Sequence, residues 1–265
     1  MNILRQELRM SFRSWLYFTI GLLLTLGIFG AFFDTFKEDA RIIDQLLQNF
    51  PAEFRAAFGF ADVNLSEVEG FFSFIMSYII LIGSVYGMKL GVSLLSEEGR
   101  KMTSDFLLTK PVRRYAIVNS KLAAAFVYII AQNLAVFAIG LAMIHMMVED
   151  GIDVRIFALM AFSLFFVQLF FMGIGFAIAA ASRKIKSVMP VTLGVVFFFF
   201  IIELLNESLI DKKLSYVTPF AYFKGSGIIL NRQYDLVYVA IGLSVFLVST
   251  LLAYWIYQHK DIHAV

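Results

Sequence analysis

Six long apolar stretches constrain this 265-residue chain more than any other feature of its sequence. A helix needs about 20 apolar residues to cross a hydrocarbon core of about 30 Å. The stretches that reach or approach this length are 15–33, 71–95, 122–148, 156–182, 188–205 and 236–257. None shows the apolar–polar alternation of a barrel strand, so helices are indicated. The sequence predicts an all-α, polytopic membrane protein whose six transmembrane helices form a single domain, 1–265.

Composition and motifs exclude several classes of function. Charged residues make up 16% of the chain, whereas a soluble domain carries about 25%. The net charge of +2 is too small to indicate a nucleic-acid partner. Without cysteine, the chain has no disulfide, thiolate metal site or cysteine nucleophile. It also has no HExxH zinc motif and no GxSxG turn. We therefore expect neither catalytic residues nor a metal site here.

Lysine and arginine are unevenly divided between alternate loops. The side richer in them comprises 1–14, 96–121, 183–187 and 258–265, with 13 basic residues in 53 positions. The other side comprises 34–70, 149–155 and 206–235, with 8 basic residues in 74 positions and 14 of the 20 acids. Because cytoplasmic loops are enriched in lysine and arginine, we expect both termini in the cytoplasm and the chain in the plasma membrane.

The residues before the first span allow two interpretations. Apolar and basic side chains recur there at four-residue steps, namely Leu4, Leu8 and Phe12 beside Arg5, Arg9 and Arg13. They predict either an amphipathic N-terminal helix lying along the inner membrane surface or a basic anchor flanking the span. A cleaved signal peptide is not expected, because no small-x-small cleavage site follows the first apolar run.

A polar stretch, 96–115 (SEEGRKMTSDFLLTKPVRRY), separates the second and third spans. Ser96 can cap a helix whose first turn contains two acids, and negative charge there opposes the helix dipole. Pro111 would end this helix. A short polar rod with a small apolar patch suits docking in a groove on another protein. The alternative is a solvated loop whose basic residues only set the topology.

The order of residues in this stretch resembles the corresponding loop of ABC exporter permeases, specifically the six-span type-two family of bacterial export permeases. The likeness lies in Glu97-Glu98-Gly99 and in LLTKPVRRYAIVNSK at 107–121. Lys110 departs from the pattern, because a small residue is commoner there. Weaker similarities over the rest of the chain lie at 50–59, 69–70, 173–183, 214–223 and 259–262.

The resemblance implies a cytoplasmic coupling helix, 96–109, within a coupling segment, 96–114, that docks in a cleft of a separate ATPase. The residues assigned to ATPase coupling are Glu97, Glu98, Arg100, Met102, Phe106, Leu107, Pro111, Arg113 and Arg114. It also implies two ATPase copies, which would hold ATP and Mg²⁺, and a second permease chain, identical or paralogous. Because the sequence has no GxxxxGK[ST] loop, we expect no cofactor on this chain and ATP hydrolysis on the partner.

Polar residues inside spans are candidates for a transport path. The candidates near mid-membrane are the amides Gln132, Asn133 and Gln168, which line a substrate path or only bond between helices. The charged or titratable candidates near span ends are Lys89, His145 and Glu203, whose polar tips we expect to reach the headgroups or water.

The segments on the second side predict additional helices. Residues 36–50 have helical apolar spacing and predict an amphipathic surface helix. Residues 206–235 predict short re-entrant helices. The family resemblance implies that this region, with Pro219 and Phe220, shapes an outer gate, and the alternative is a lid that only packs. Small residues at Gly173, Ala177 and Ala181 allow close helix packing, within the chain or across a dimer.

The favoured hypothesis is a permease subunit of an ATP-driven transporter. The resemblance implies that it is an exporter and that its cargo is a lipid, peptide or hydrophobic drug. A secondary transporter working without ATP is the first alternative, although paired internal repeats with broken, charged helices are missing. A non-transporting scaffold that regulates a partner is the second alternative.

Overall fold

The computed structural model describes residues 3–39, 42, 46, 49–51, 67–101, 114–147, 153–182, 185–208 and 213–259. These ranges are almost entirely helical and contain no strand. Helices are the expected outcome for such apolar segments, because lipid offers no partner for backbone N–H and C=O groups.

Six long helices are present in the described ranges, and all six are apolar enough to cross a membrane. They are α1 (Ile3–Ala31), α3 (Val68–Lys101), α4 (Arg114–Met147), α5 (Val154–Ala181), α6 (Val188–Ser208) and α9 (Leu236–His259). The shorter helices are α2 (Phe33–Glu38), a 3-10 helix (Lys213–Tyr216), α7 (Pro219–Tyr222) and α8 (Gly225–Asn231). The prediction of an all-α protein with six spanning helices is confirmed.

Helices α3 and α4 are longer than the sequence predicted. Each has 34 residues, which corresponds to about 51 Å and exceeds the hydrocarbon core of about 30 Å. Their additional turns, 96–101 and 114–121, border the connection 102–113. We call the end of the bundle that carries these turns and residues 4–14 the basic end, and the opposite end the acidic end.

Helix α1 distinguishes the two interpretations of the N-terminal residues. It runs from Ile3 to Ala31 as one uninterrupted helix, so residues 4–14 extend the first span and do not form a separate surface helix. Nothing in this stretch breaks a helix, since it contains neither proline nor glycine before Gly21. The arrangement corresponds to the basic anchor.

Helix α5 lies at the centre of the bundle. It packs against α3 and α9 over long stretches and also contacts α4, α7 and α8, whereas α1 packs mainly on α4 and α3. Of the spanning helices, α5 is the most deeply buried within the chain and α9 the least. The exposed apolar side chains of α9 are those expected of a helix that faces lipid or another subunit.

The first connection on the acidic end is described only in part. Helix α2 begins at Phe33 and ends at Glu38, so it includes only the start of the predicted helix 36–50. Seven of the fifteen residues of that predicted helix lie outside the described residues, and of the others beyond α2, Ile42 and Leu46 are helical and exposed. The short helices predicted within 206–235 are present, as the 3-10 helix, α7 and α8.

Candidate functional site

A buried lysine joins three helices at the basic end. Lys121 Nζ lies 2.9 Å from Glu7 Oε1 and 2.6 Å from the carbonyl oxygen of Leu94. Glu7 belongs to α1, Leu94 to α3 and Lys121 to α4. The lysine and glutamate side chains are only 1% and 6% exposed. Removing one charge of such a buried pair costs about 3–5 kcal/mol, because the other charge is left without compensation.

The sequence-predicted coupling residues lie between Leu94 and Lys121 in the sequence, and five of the nine fall outside the described residues. Helix α3 continues through Ser96 to Lys101, so Ser96 does not cap a new helix as the sequence suggested. The backbone of Glu97, Glu98 and Arg100 belongs to this continuation, and Arg114 begins α4. The remaining coupling residues, outside the described ranges, are Met102, Phe106, Leu107, Pro111 and Arg113. The ATPase contacts assigned to all of these residues stay predictions.

Two aromatic residues add polar contacts between α1 and α4, about two turns further into the bundle than the junction formed by Lys121, Glu7 and Leu94. Trp15 Nε1 donates to the carbonyl oxygen of Tyr128 at 3.2 Å, and the Tyr128 hydroxyl donates to the carbonyl oxygen of Leu8. The Trp15 and Tyr128 rings also lie side by side, with centroids 5.7 Å apart. These contacts join α1 to α4 independently of the buried lysine.

Lys89 links α3 to α1 and does not simply extend to the headgroups, as the sequence suggested. Its ammonium donates to Ser14 Oγ and lies 4.9 Å from the centroid of the Phe18 ring. A cation over an aromatic face is attracted by the ring quadrupole, and the attraction increases where water is scarce. The half-buried position of Lys89 is therefore explained by partners on α1.

The three mid-membrane amides form one hydrogen-bonded cluster, which we call the amide node. Gln168 Nε2 donates to Gln132 Oε1 at 2.6 Å and to the Gly83 carbonyl oxygen at 3.3 Å. Gln168 Oε1 accepts from Asn133 Nδ2 at 2.8 Å, and Gln132 Nε2 donates to Thr19 Oγ1 at 3.1 Å. The node thus connects α1, α3, α4 and α5 near their midpoints.

Burial of the amide node determines what it can do chemically. Gln132 and Gln168 are fully buried and Asn133 is 6% exposed. Asn133 Oδ1 is the one amide oxygen of the node that finds no hydrogen-bond partner among the described residues. The node has no charge, so it can exchange hydrogen bonds but has no side chain that would carry a proton. The substrate-path role of these residues stays a prediction.

A glycine series that the sequence analysis missed brings α3 and α5 into backbone contact. Gly83, Gly87 and Gly91 recur every four residues on α3 and face α5. A methyl group on Gly87 would lie 2.7 Å from the carbonyl oxygen of Gln168, and one on Gly175 would lie 2.7 Å from that of Met88. Small residues at this spacing are the known signal for close packing of membrane helices.

The small residues that the sequence analysis did single out pack differently. Gly173 meets the backbone of Phe246 on α9, where a methyl group added to the glycine would lie 3.0 Å from the Phe246 Cα. Ala177 is half-buried and Ala181 is exposed. Close packing at Gly173 is therefore a contact within this chain.

The predicted gate residues lie in the segment 213–235, between α6 and α9, which folds back into the bundle at the acidic end. We call it the re-entrant segment. Thr218 Oγ1 donates to the carbonyl oxygen of Phe199 at 3.0 Å, near the middle of α6. Pro219 is buried as the first residue of α7. The Phe220 ring packs between Phe171 and Phe200, with centroids 5.5 and 5.8 Å away. The segment is re-entrant in form, while its role as a gate stays a prediction.

An ion cluster fixes the same segment to α6. Lys224 Nζ lies 2.6 Å from Glu203 Oε1 and also contacts Glu207. Glu203 is 8% exposed, so the expectation that its carboxylate reaches water is wrong. Its partner comes from a residue 21 positions later, which no local pattern could indicate. His145, in contrast, is exposed as expected.

Two buried tyrosines complete the packing of the re-entrant segment. Burial raises the pKa of Tyr222 to about 12, with the neighbouring Tyr238 adding to the rise, and burial likewise raises the pKa of Tyr234 to about 12. Both hydroxyls are therefore neutral donors at physiological pH. They donate to the carbonyl oxygens of Tyr216 at 2.7 Å and of Leu159 at 2.5 Å.

The described residues contain no group of three or more His, Cys, Asp or Glu side chains that could hold a metal ion. The clustered functional groups in the described part of the bundle are therefore the junction at the basic end, the amide node and the ion cluster at the acidic end. They lie along the bundle from one end to the other.

Comparison with known proteins agrees with this architecture. The family model described as ABC-2 family transporter protein matches residues 1–262. A search of curated proteins found no match. Because the family match covers nearly the whole chain and the six apolar helices fit a permease subunit, this chain belongs to the ABC-2 family of transporter proteins.

Proposed function

We propose that this chain is the permease subunit of an ATP-driven exporter and that residues 96–109 couple it to a separate ATPase subunit. In this proposal two ATPases bind and hydrolyse ATP with Mg²⁺, and two permease chains, identical or paralogous, form the path through the plasma membrane. The basic end faces the cytoplasm, so both termini lie there. The whole chain, 1–265, acts as one permease domain.

The observation that carries the proposal is the length of α3 and α4. Both helices exceed the thickness of the hydrocarbon core at the basic end, and the connection 102–113 joins the two projections. A rigid projection at the membrane surface is what a soluble partner needs in order to push on the spans. Membership of a transporter family that implies an ABC ATPase partner supports the same conclusion.

An amphipathic or hydrophobic substrate, such as a lipid, peptide or drug, fits the polar groups of the bundle. At mid-height these are amides and a hydroxyl, which satisfy hydrogen bonds without attracting a particular ion. The buried ion pairs of the described spans lie towards the ends, in the junction and the ion cluster, and Lys89 is held by Ser14 and Phe18 towards the basic end. A neutral, largely apolar interior favours cargo that also dissolves in lipid.

Copurification tests the proposal most directly. The chain would be expressed with the ATPase encoded by a neighbouring gene, as wild type and with Glu97→Gln/Glu98→Gln or Phe106→Ala. We expect the wild-type chain to retain the ATPase, and the variants to weaken the complex by about tenfold or more, as loss of interface anchors does. Membrane insertion and thermal stability of the permease should stay unchanged.

A matched control uses the opposite end of the same helix. Glu67→Gln/Glu69→Gln alters two acids next to the start of α3 at the acidic end, and should leave the ATPase complex intact. Normal assembly and ATP turnover in all coupling variants would contradict the proposal. Transport by the chain alone, driven by an ion gradient in proteoliposomes, would favour a secondary transporter, and an ATPase-free complex without transport would favour a scaffold.

A further inference from the structure

Lys121 has a position that the coupling hypothesis did not use. Its ammonium is shared between the carboxylate of Glu7 and the backbone carbonyl of Leu94, at 2.9 and 2.6 Å. Leu94 lies two residues before the coupling segment 96–114, and Lys121 lies seven residues after it. The lysine therefore links α3 to α4 next to the two ends of the coupling segment.

The contact to Leu94 is the distinctive part of this arrangement. Helix α1 is already joined to α4 by the hydrogen bonds of Trp15 and Tyr128. An ion pair is not needed merely to hold two helices, because apolar side chains of similar size do so at least as well as a buried pair. An ammonium can, however, donate to a carboxylate and a carbonyl together, which an apolar residue cannot.

Glu7 allows the charged side chain of Lys121 to occupy this buried position. A lone ammonium with 1% exposure would lose its charge or turn towards water, and a carboxylate 2.9 Å away keeps it charged and fixed in direction. The charge makes the bond to Leu94 stronger than one from a neutral donor. Glu7 thus orients Lys121, and Lys121 holds α3.

We infer that Lys121, oriented by Glu7, is a positioning residue that clamps the two ends of the coupling segment 96–114, so that displacement of this segment moves α1, α3 and α4 as one body. The inference rests on the proposed function, because a clamp matters for coupling only if an ATPase acts on the segment. Without the clamp, a push on the segment would separate α3 from α4 and would be lost as local bending.

A double substitution separates this role from simple stability. Glu7→Met/Lys121→Met removes both charges together and replaces them with flexible apolar side chains of similar length, so neither charge of the pair is left without the other. We expect this variant to insert, fold and retain the ATPase like the wild type. The bond from the ammonium to the Leu94 carbonyl is lost without a substitute.

Spin labels measure the clamp itself. The chain has no cysteine, so Ser93→Cys with Asn119→Cys places one label on α3 and one on α4 without background labelling. In the ATPase complex, the wild-type distance distribution should be narrow and should stay narrow when ATP and vanadate trap the closed ATPase. In the Glu7→Met/Lys121→Met variant the distribution should broaden on trapping, and ATP turnover should change by about tenfold, a typical coupling effect.

Tyr128→Phe provides the matched control. It removes a hydrogen bond between α1 and α4 but none to α3, so the label distance between α3 and α4 should keep its wild-type width.

The outcomes separate the inference from the proposed function. A narrow, wild-type distribution in the trapped double variant, with normal ATP turnover, would overturn the clamp while leaving the ATPase assignment in place. If the wild-type chain retained no ATPase at all, the proposed function would fail, and the coupling role of Lys121 would fail with it.

Discussion

The helix pair α3–α5 and the helix pair α1–α4 are held together by different forces. Between α3 and α5, glycines let one backbone approach the other, so dispersion over a long contact supplies the attraction. Between α1 and α4, a few long side chains reach across with hydrogen bonds and one buried ion pair. The first pair tolerates no added volume, whereas the second depends on individual polar atoms.

The difference teaches which parts of the bundle can act as rigid units. The glycine contact leaves no room for a methyl group at Gly87 or Gly175, so backbone contact fixes the spacing of α3 and α5. Polar contacts can exchange partners, so α1 and α4 can shift if another donor or acceptor becomes available. The coupling segment joins α3 of the first pair to α4 of the second. The following substitutions test the difference between backbone packing and polar contacts, in order of decreasing effect.

Lys121→Met should give the largest loss of stability, about 3–5 kcal/mol, because it removes the ammonium 2.9 Å from the buried carboxylate of Glu7. Thermal unfolding in detergent micelles, followed by tryptophan fluorescence, measures the loss. Adding Glu7→Met should restore most of it. If the single variant were as stable as the double variant, Glu7 would not be a buried partner of this lysine.

Gly87→Ala should destabilise the α3–α5 pair by about 1–3 kcal/mol, since the added methyl group meets backbone and cannot be accommodated by a side-chain rotation. Gly27→Ala is the control, because nothing lies within 4 Å of a methyl group built there. Unfolding temperatures of the two variants in the same detergent give the comparison. Equal temperatures would mean that α3 and α5 are not in backbone contact.

Gln168→Met should cost roughly 2 kcal/mol, because three hydrogen bonds disappear and interhelical bonds in membranes are worth about 0.6 kcal/mol on average. This substitution loosens the connection between the two helix pairs without adding volume. Thermal unfolding measures its stability. A transport assay with a fluorescent lipid in proteoliposomes of the ATPase complex would show whether the amide node also affects cargo. Unchanged stability would contradict the hydrogen-bond assignment.

Tyr128→Phe should give the smallest effect, about 0.6 kcal/mol, since it removes one hydrogen bond between α1 and α4 and leaves the ring contact with Trp15. The same unfolding measurement applies. A loss as large as that of Lys121→Met would show that the α1–α4 pair depends on this hydroxyl rather than on the buried ion pair.

The architecture could be predicted from the sequence because lipid leaves an apolar segment of about 20 residues little choice but a helix. The partners of individual polar groups could not. Glu7 and Lys121 are separated by 114 positions, and neither carries a local signal of the other. The same holds for Lys224, which pairs with Glu203 and Glu207 on α6. The sequence suggested that the Glu203 carboxylate is exposed, and its distant partner explains why it is buried.

The glycine series of α3 was within reach of sequence analysis. Gly83, Gly87 and Gly91 have the spacing that favours close packing, yet the series singled out from the sequence was Gly173, Ala177 and Ala181, of which Gly173 meets backbone, Ala177 is half-buried and Ala181 is exposed. Spacing alone cannot rank two such series, because it does not show which helix supplies the neighbouring backbone. The coupling residues were found through family resemblance, and their contacts depend on a partner that the sequence does not contain.

The backbone carbonyl of Gly83 determines the direction of the entire amide node. A carbonyl can only accept, so the Gln168 nitrogen must point towards it, which leaves the Gln168 oxygen for Asn133 and the second N–H of Gln168 for Gln132. Gln132 must then turn its own nitrogen to Thr19. An isosteric glutamate at position 168 would present oxygen to oxygen at two of these contacts. Position 168 therefore requires a side chain that can donate hydrogen bonds, and a side chain of the same size that only accepts them would not fit.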